Sequence, residues 1–151
     1  MKKIITNNIE ETIDLAFKLT KLIKEGAFIA LFGDLGAGKT TFVKGIAKAL
    51  NIENYLYVNS PSFVIMKEYK AKKNLYHFDV YRTELESFSS TIDYDKYFYS
   101  QHIVVVEWAS KIMEILPEEY LKIEIINLDI NKRKFLFNCI GNKFQNIIND
   151  L

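Results

Sequence analysis

Gly33, Gly36, Gly38, Lys39 and Thr40 stand in "GDLGAGKTTF" at the spacing G-x-x-x-x-G-K-[ST]. Glycines at those positions permit backbone conformations that a side chain blocks, so successive N–H groups can turn inward around phosphate oxygens. Lys39 then supplies a mobile cation for β- and γ-phosphates, and the Thr40 hydroxyl is a ligand for Mg²⁺. The loop residues expected to touch a nucleotide are Gly33, Leu35, Gly36, Ala37, Gly38, Lys39, Thr40 and Thr41. The chemistry implied is the binding of a nucleotide together with its magnesium.

A metal at such a loop calls for an acidic partner. "HIVVVEW" runs from Ile103 into Glu107 and has the form of a Walker B strand, with its carboxylate at the edge where open α/β sheets bind ligands. Glu107 could hold Mg²⁺, directly or through water, or orient an attacking water; the plain alternative is an acid at an exposed strand end. In "YHFDVYR", strand periodicity sets His77, Asp79 and Tyr81 on one face and Tyr76, Phe78 and Val80 on the other. The second set suits a core. The first is polar and can face the site, with Asp79 polarising water or supporting the metal's shell. His77 alone reads as a hydrogen-bonded structural histidine, Arg82 as a partner for an acid, and Trp108 as either core or interface.

The elements that must position these groups are legible in the periodicities. "AFIALFGD" reads as a buried strand feeding the loop, and "KTTFVKGIAKAL" as the helix after it, with Phe42, Ile46, Ala49 and Leu50 on one face. The partial positive charge of that helix N-terminus falls on the phosphate site. Upstream, "NIEETIDLAFKLTKLIKEG" predicts a helix with Asn8 and Glu11 as a capping box, an apolar stripe of Ile13, Ala16, Phe17 and Ile23, and Gly26 as its stop. "YLYVNSPSF" predicts an extended piece entering a turn at Pro61, followed by two strands, "FVIMKEY" and "NLYHFDVYR", joined through "KAKKN". Thr83 and Glu86 suggest a second capping box and a short helix, and "IDYDKYFYS" a further helical turn. "HIVVVEW" predicts a buried parallel strand, and "ASKIMEIL" a helix ending before Pro117. "YLKIEIINLD" and "RKFLFNCIG" predict a second hairpin, and the last ten residues a terminal helix. The expected fold is an α/β, P-loop NTPase-like sandwich over residues 1–151. It has a mixed, mostly parallel central sheet, antiparallel hairpin additions and flanking helices.

Composition narrows the function. At 151 residues the chain suits one domain with a sizeable core. A net charge of +1 advertises no strong independent nucleic-acid binding. No apolar run approaches the roughly 20 residues of a membrane span, and "MKKIITNNIEET" lacks a signal peptide's apolar core. The single Cys139 excludes an intramolecular disulfide, reads as a small buried hydrophobe on a strand, and fits a cytoplasmic location. Arg82 and Arg133 are the only arginines, too few for the cluster with which small-molecule kinases close over a transferred phosphoryl group. Neither "NKRK" nor "NKFQ" supplies the Asp of a guanine-specific N-K-x-D element, which favours an adenine nucleotide.

Taken in order, "GDLGAGKTTFVKGIAKAL", "SPSF" followed by "KEY", "YHFDVYR" and "VVVEW" resemble the bacterial TsaE (YjeE) family, P-loop ATPases of tRNA threonylcarbamoyladenosine biosynthesis. The resemblance spans nearly the whole chain and is strongest from Phe28 to Trp108. It implies a slow ATPase using ATP/ADP and Mg²⁺, which drives or resets the partner proteins TsaD and TsaB as they modify the adenosine next to the anticodon. The link to tRNA would run through that complex. It places Thr40 and Glu107 at the magnesium and Asp79 near the catalytic centre; Ser62 is then expected as a γ-phosphate sensor. It assigns further nucleotide contacts to the segment around Ile9 and to Arg133. Ser62 stands where the family usually has Thr, "SSTIDYDKYF" replaces a Gly-containing stretch, and Lys132-Arg133 replaces Gly-Arg. A small-molecule kinase and a nucleotide-gated adaptor without turnover are the competing readings.

Overall fold

The computed structural model describes residues 1–151. Six of its seven strands follow from the apolar patterning. β2 (Ala27–Phe32) and β5 (Ile103–Glu107) are near-continuous apolar runs, buried on both faces as central parallel strands must be. β6 (Tyr120–Asn127) and β7 (Arg133–Ile140) alternate, sending Leu121, Ile123, Ile125, Phe135 and Phe137 into one core. β4 (Leu75–Asp79) is the "YHFD" strand, and β3 (Met66–Tyr69) returns against it through the predicted lysine-rich turn. β3 begins three residues later than the pattern suggests, leaving Phe63 and Val64 exposed.

The seventh strand, β1 (Lys2–Thr6), has no counterpart in the sequence reading. It pairs antiparallel with β7, completing the order β1-β7-β6-β2-β5-β4-β3. Its alternation is hidden because Lys2–Ile5 are exposed or half-buried at the sheet edge and only Thr6 is buried. Lysine-rich edges of this kind discourage strand addition. In the middle, β6, β2, β5 and β4 run parallel, so the sheet is mixed with a parallel centre, as expected.

Two cores cover the two faces. On one, α1 (Ile9–Leu22), α2 (Lys39–Ala49) and α5 (Gln145–Asp150) pack over Ile29, Leu31, Val105 and Ile123. On the other, α3 (Leu85–Thr91), α4 (Asp95–Phe98) and the segment Ala109–Ile115 cover Phe28, Phe78, Val104 and Val106. That second core is aromatic: Phe98 meets Phe28 at 4.7 Å and Phe78 at 5.5 Å, both edge-to-face.

Several local expectations change. α1 stops at Leu22, not at Gly26; a Cβ at Gly26 would lie 2.8 Å from the Gln101 backbone, so this glycine serves a close chain approach. The Asn8 side chain accepts from the Glu11 amide at 2.8 Å, but the Glu11 carboxylate reaches back to the Asn7 amide, one residue beyond a regular capping box. The Thr83–Glu86 box does not form: α3 starts at Leu85, and the Thr83 hydroxyl reaches only the Glu84 carbonyl, at 3.4 Å. Tyr55–Tyr57 is a turn of 3₁₀ helix, not an extended piece. "ASKIMEIL" forms 3₁₀ turns broken at Ile112, where φ is −128° and ψ 30°. Cys139 lies on β7 as expected but is only half-buried.

α1 and α2 cross closely at Gly45, where any Cβ would overlap the Ile13 carbonyl and the Ala16 methyl. Because α2 carries the glycine-rich loop at its start, this crossing sets the loop's height above the sheet. Gly45→Ala should lower stability by about 1–3 kcal/mol through overpacking, read as a reduced denaturant midpoint in equilibrium unfolding.

Candidate functional site

The site grows from the carboxyl edge of the parallel strands. Pairing sets Leu31 of β2 beside Glu107 of β5, and Glu107 beside Asp79 of β4. Paired residues in parallel strands project to the same face, so Glu107 and Asp79 both point toward the α2 side. There β2 runs into the loop, Gly33–Gly38, and α2 starts at Lys39. Two glycines are demanded by the backbone. Gly33 has φ 144°, and a Cβ there would sit 2.5 Å from the Ile125 carbonyl. Gly38 caps α2 at φ 105°, in a region that L residues rarely occupy.

One contact joins the loop to the strand-end acid. Thr40 Oγ1 lies 2.9 Å and 3.0 Å from the two Glu107 carboxylate oxygens. Glu107 is 2% exposed, so its reading as a solvated strand end is overturned. His77 Nε2 stands 2.8 Å from Glu107 Oε1 with no exposed surface, which makes this histidine a hydrogen-bonded residue in contact with the site. The oxygen donors suit a small hard cation. Mg²⁺ typically takes one or two carboxylates and fills its shell with water and phosphate oxygens. No three or more His, Cys, Asp or Glu side chains are grouped as a metal cage.

Lys39 is nearly enclosed, at 4% exposure. Its ammonium donates to the carbonyls of Gly33 at 2.7 Å and Asp34 at 2.8 Å, and lies 3.8 Å from the centroid of the Trp108 ring. Desolvation pushes its pKa below the ordinary 10.5, opposed by the negative charges of Glu107, Asp79 and Asp34. Trp108 adopts the left-handed conformation at φ 62°, unusual for a large residue, and its other neighbour is Tyr81 at 4.7 Å between rings.

Asp79 is buried, and both its oxygens are engaged. Oδ1 accepts from the Tyr81 amide at 2.9 Å and Oδ2 from the Ser60 hydroxyl. Ser60 was not legible as the partner, because "NSPSF" offers two serines and only folding selects between them. Ser62 lines the same cleft, of about 420 Å³, with Leu35–Thr41, Asp79, Glu107 and Trp108. β4 ends at Asp79, so Tyr81 is not on the strand face predicted for it; it is exposed at the cleft mouth. Arg82 pairs with no acid; its guanidinium lies 4.2 Å from the Phe63 ring centroid.

A second, smaller cleft of about 120 Å³ flanks the loop's other side. Ile9, Gly36, Gly38, Thr41 and Arg133 all line it, with Asn8, Thr12, Ile130 and Asn131. Arg133 Nε donates to the Ala37 carbonyl at 3.0 Å, while Nη1 donates to the carbonyls of Asp129, Ile130 and Lys132 at 2.8–3.2 Å. The hairpin arginine thus ties the β6–β7 turn to the glycine-rich loop. Ala37 is buried beneath this contact and Leu35 is exposed beside it.

Fold and site define a mixed α/β protein with a glycine-rich loop at the carboxyl edge of the parallel strands of a seven-stranded sheet, flanked by clefts on both sides. The family model described as "Threonylcarbamoyl adenosine biosynthesis protein TsaE" matches residues 6–135, and the chain belongs to the TsaE family. It is 44% identical over 147 residues to the tRNA threonylcarbamoyladenosine biosynthesis protein TsaE of Bacillus subtilis, covering 97% of this chain and 90% of that one. The protein of that name from Aquifex aeolicus is 42% identical over 135 residues, covering 89% and 93%. The crystal structure of Bacillus subtilis YdiB superposes with a TM-score of 0.81 at 37% identity, covering 99% of this chain and 92% of the other. No helix is long and apolar enough to cross a membrane.

The depressed Lys39 pKa has a definite sign in stability. Between the folded value and 10.5 the unfolded chain binds more protons at this residue, so the cost of burying the charge is fully present below the folded pKa and is relieved as pH rises. The unfolding free energy of Lys39→Met minus that of wild type, both ligand-free, should therefore fall between pH 7 and pH 10.5. A difference that stays flat or rises in paired denaturation curves would contradict the assigned desolvation.

Proposed function

We propose that this protein is a Mg²⁺-dependent ATPase that supports tRNA threonylcarbamoyladenosine biosynthesis by driving or resetting the TsaD–TsaB pair in the cytoplasm. The observation that carries the reading is the Thr40–Glu107 contact, which joins the phosphate-loop motif to a buried strand-end carboxylate within a TsaE-family chain. In this reading the loop amides and Lys39 hold the phosphates of ATP or ADP. Lys39 already stands with its ammonium over the loop, held only by carbonyls and a ring face. Thr40 and Glu107 hold the magnesium, whose contribution when bound is to neutralise charge on the phosphate oxygens.

The two clefts divide the rest of the work. Ser62 and Asp79 face the loop from one side, where Ser62 senses the γ-phosphate and Asp79 positions the attacking water. Ile9, Thr41 and Arg133 face it from the other side and hold the nucleoside. Asp79 must exchange one of its present partners to take water, since Ser60 and the Tyr81 amide occupy both oxygens. A partner protein that reorders the Ser60–Phe63 segment would free it, so turnover should be slow alone and faster in the complex. Contact with tRNA then runs through TsaD and TsaB, consistent with a net charge of +1.

If Asp79 positions water, Asp79→Ala should slow ATP hydrolysis about 10²–10⁴-fold while changing ATP affinity far less, read by phosphate release and calorimetric titration. Equal losses would assign Asp79 to anchoring the Ser60 segment alone. The wider reading is tested in a reconstituted modification assay with TsaD, TsaB and tRNA. Repeated rounds should require this protein and hydrolysable ATP, and phosphate release should rise when the pair is added. Rounds that continue equally well with a non-hydrolysable analogue would replace the ATPase by a nucleotide-gated adaptor.

A further inference from the structure

His77 sits where the fold calls for an apolar side chain. Its neighbours on the same sheet face are Leu75 of its own strand and, through the pairing His77↔Val105 and Val105↔Ile29, two aliphatic residues of the α1–α2 core. A leucine or valine there would fill the layer with no polar atom to satisfy. The chain instead buries an imidazole completely, with Nε2 at 2.8 Å from Glu107 Oε1 and Nδ1 without any hydrogen-bond partner. Leaving a buried ring nitrogen unpaired is unfavourable, so the contact made by the other nitrogen is the feature that distinguishes this residue from an aliphatic one.

The carboxylate needs such a contact. Glu107 is reached by Thr40 Oγ1 at nearly equal distances from both oxygens, and a threonine hydroxyl has one proton to give. Thr40 alone therefore leaves the choice of oxygen open. A donor at His77 Nε2 engages Oε1 from beneath, directs the Thr40 proton to Oε2, and fixes the rotation of the carboxylate about its last bond. We infer that His77 is a positioning residue that orients Glu107 for magnesium through an Nε2–H donor, without touching nucleotide or metal itself. This rests on the ATPase reading above. Partners of metal-site carboxylates commonly change metal affinity by about 10–100-fold when removed.

The test separates donation from packing. Glutamine can present an amide N–H near the position of imidazole Nε2, and asparagine only near Nδ1. The readout is the factor by which Mg²⁺ strengthens ADP binding, from calorimetric titrations with and without the ion, alongside the melting temperature of each variant. His77→Gln should keep this factor within about threefold of wild type, while His77→Asn and His77→Leu reduce it at least tenfold with metal-free ADP affinity unchanged. Independently, long-range ¹H–¹⁵N spectra of the ligand-free protein should show His77 with its proton on Nε2. An unchanged Mg²⁺ factor in a folded His77→Leu protein, equal behaviour of Gln and Asn, or a proton on Nδ1 alone would each overturn the inference while leaving the ATPase reading standing. If His77→Leu does not fold, the Gln–Asn comparison still decides. A wild-type protein that binds no ADP would overturn the ATPase reading, and this inference with it.

Discussion

The parallel register of β4, β5 and β2 sets Asp79, Glu107 and Leu31 abreast at one edge of the sheet, and the site's geometry follows from that alignment. Side chains on a strand alternate faces with a period of two, so a slip of one residue in β5 would turn Glu107 into the aromatic core and Val106 toward the loop. The apolar run before Glu107 prevents the slip. Val104 and Val106 belong to one core and Ile103 and Val105 to the other, and both layers are closed by helices. The site's acids are thereby held by hydrophobic packing on both faces of a sheet whose own function is only to pack.

That arrangement exacts a cost in charge. Lys39, Glu107, Asp79 and His77 are all buried or nearly so, at the top of an otherwise aliphatic layer. The fold offsets the desolvation locally. Lys39 takes two loop carbonyls and the Trp108 face, Glu107 takes Thr40 and His77, and Asp79 takes Ser60 and the Tyr81 amide. Each of these partners is one that a phosphate, a metal or a water can displace or share. Apart from His77 Nδ1, these buried polar groups are satisfied by neighbouring groups in hydrogen bonds that hold them in place.

The same economy explains how two remote pieces of chain reach one loop. β1 and β7 lie at the far end of the sheet order, yet Arg133, at the start of β7, donates to Ala37 O, and Thr6 at the end of β1 meets Thr12 of α1 at 2.8 Å. These contacts bring Ile9 and Arg133 to the outer side of the loop. The outer cleft is therefore a product of sheet order, which places the β6–β7 turn beside α1.

How far the sequence speaks depends on the range of the interaction concerned. The loop, the strand feeding it and the helix leaving it are local matters of glycine φ, apolar runs and helical periodicity, and "GDLGAGKTTF", "HIVVVEW" and "YHFDVYR" already named the lysine, the threonine and the acids. Short-range signals failed where tertiary contacts dominate. The edge strand β1 has almost no buried face to pattern, Gly26 answers to the Gln101 backbone and not to a helix end, and the Thr83 box yielded to the packing of α3. The two hairpin pairings were legible from adjacent strands and their turns, but pairings between strands remote in sequence were not. Only the folded sheet decided that Ser60 and not Ser62 reaches Asp79, that Tyr81 leaves its strand for Trp108, and that His77 meets Glu107. Residue types and local spacing determined which chemistry this protein can hold. Register and layer packing, which act across tens of residues, decided which of those groups touch.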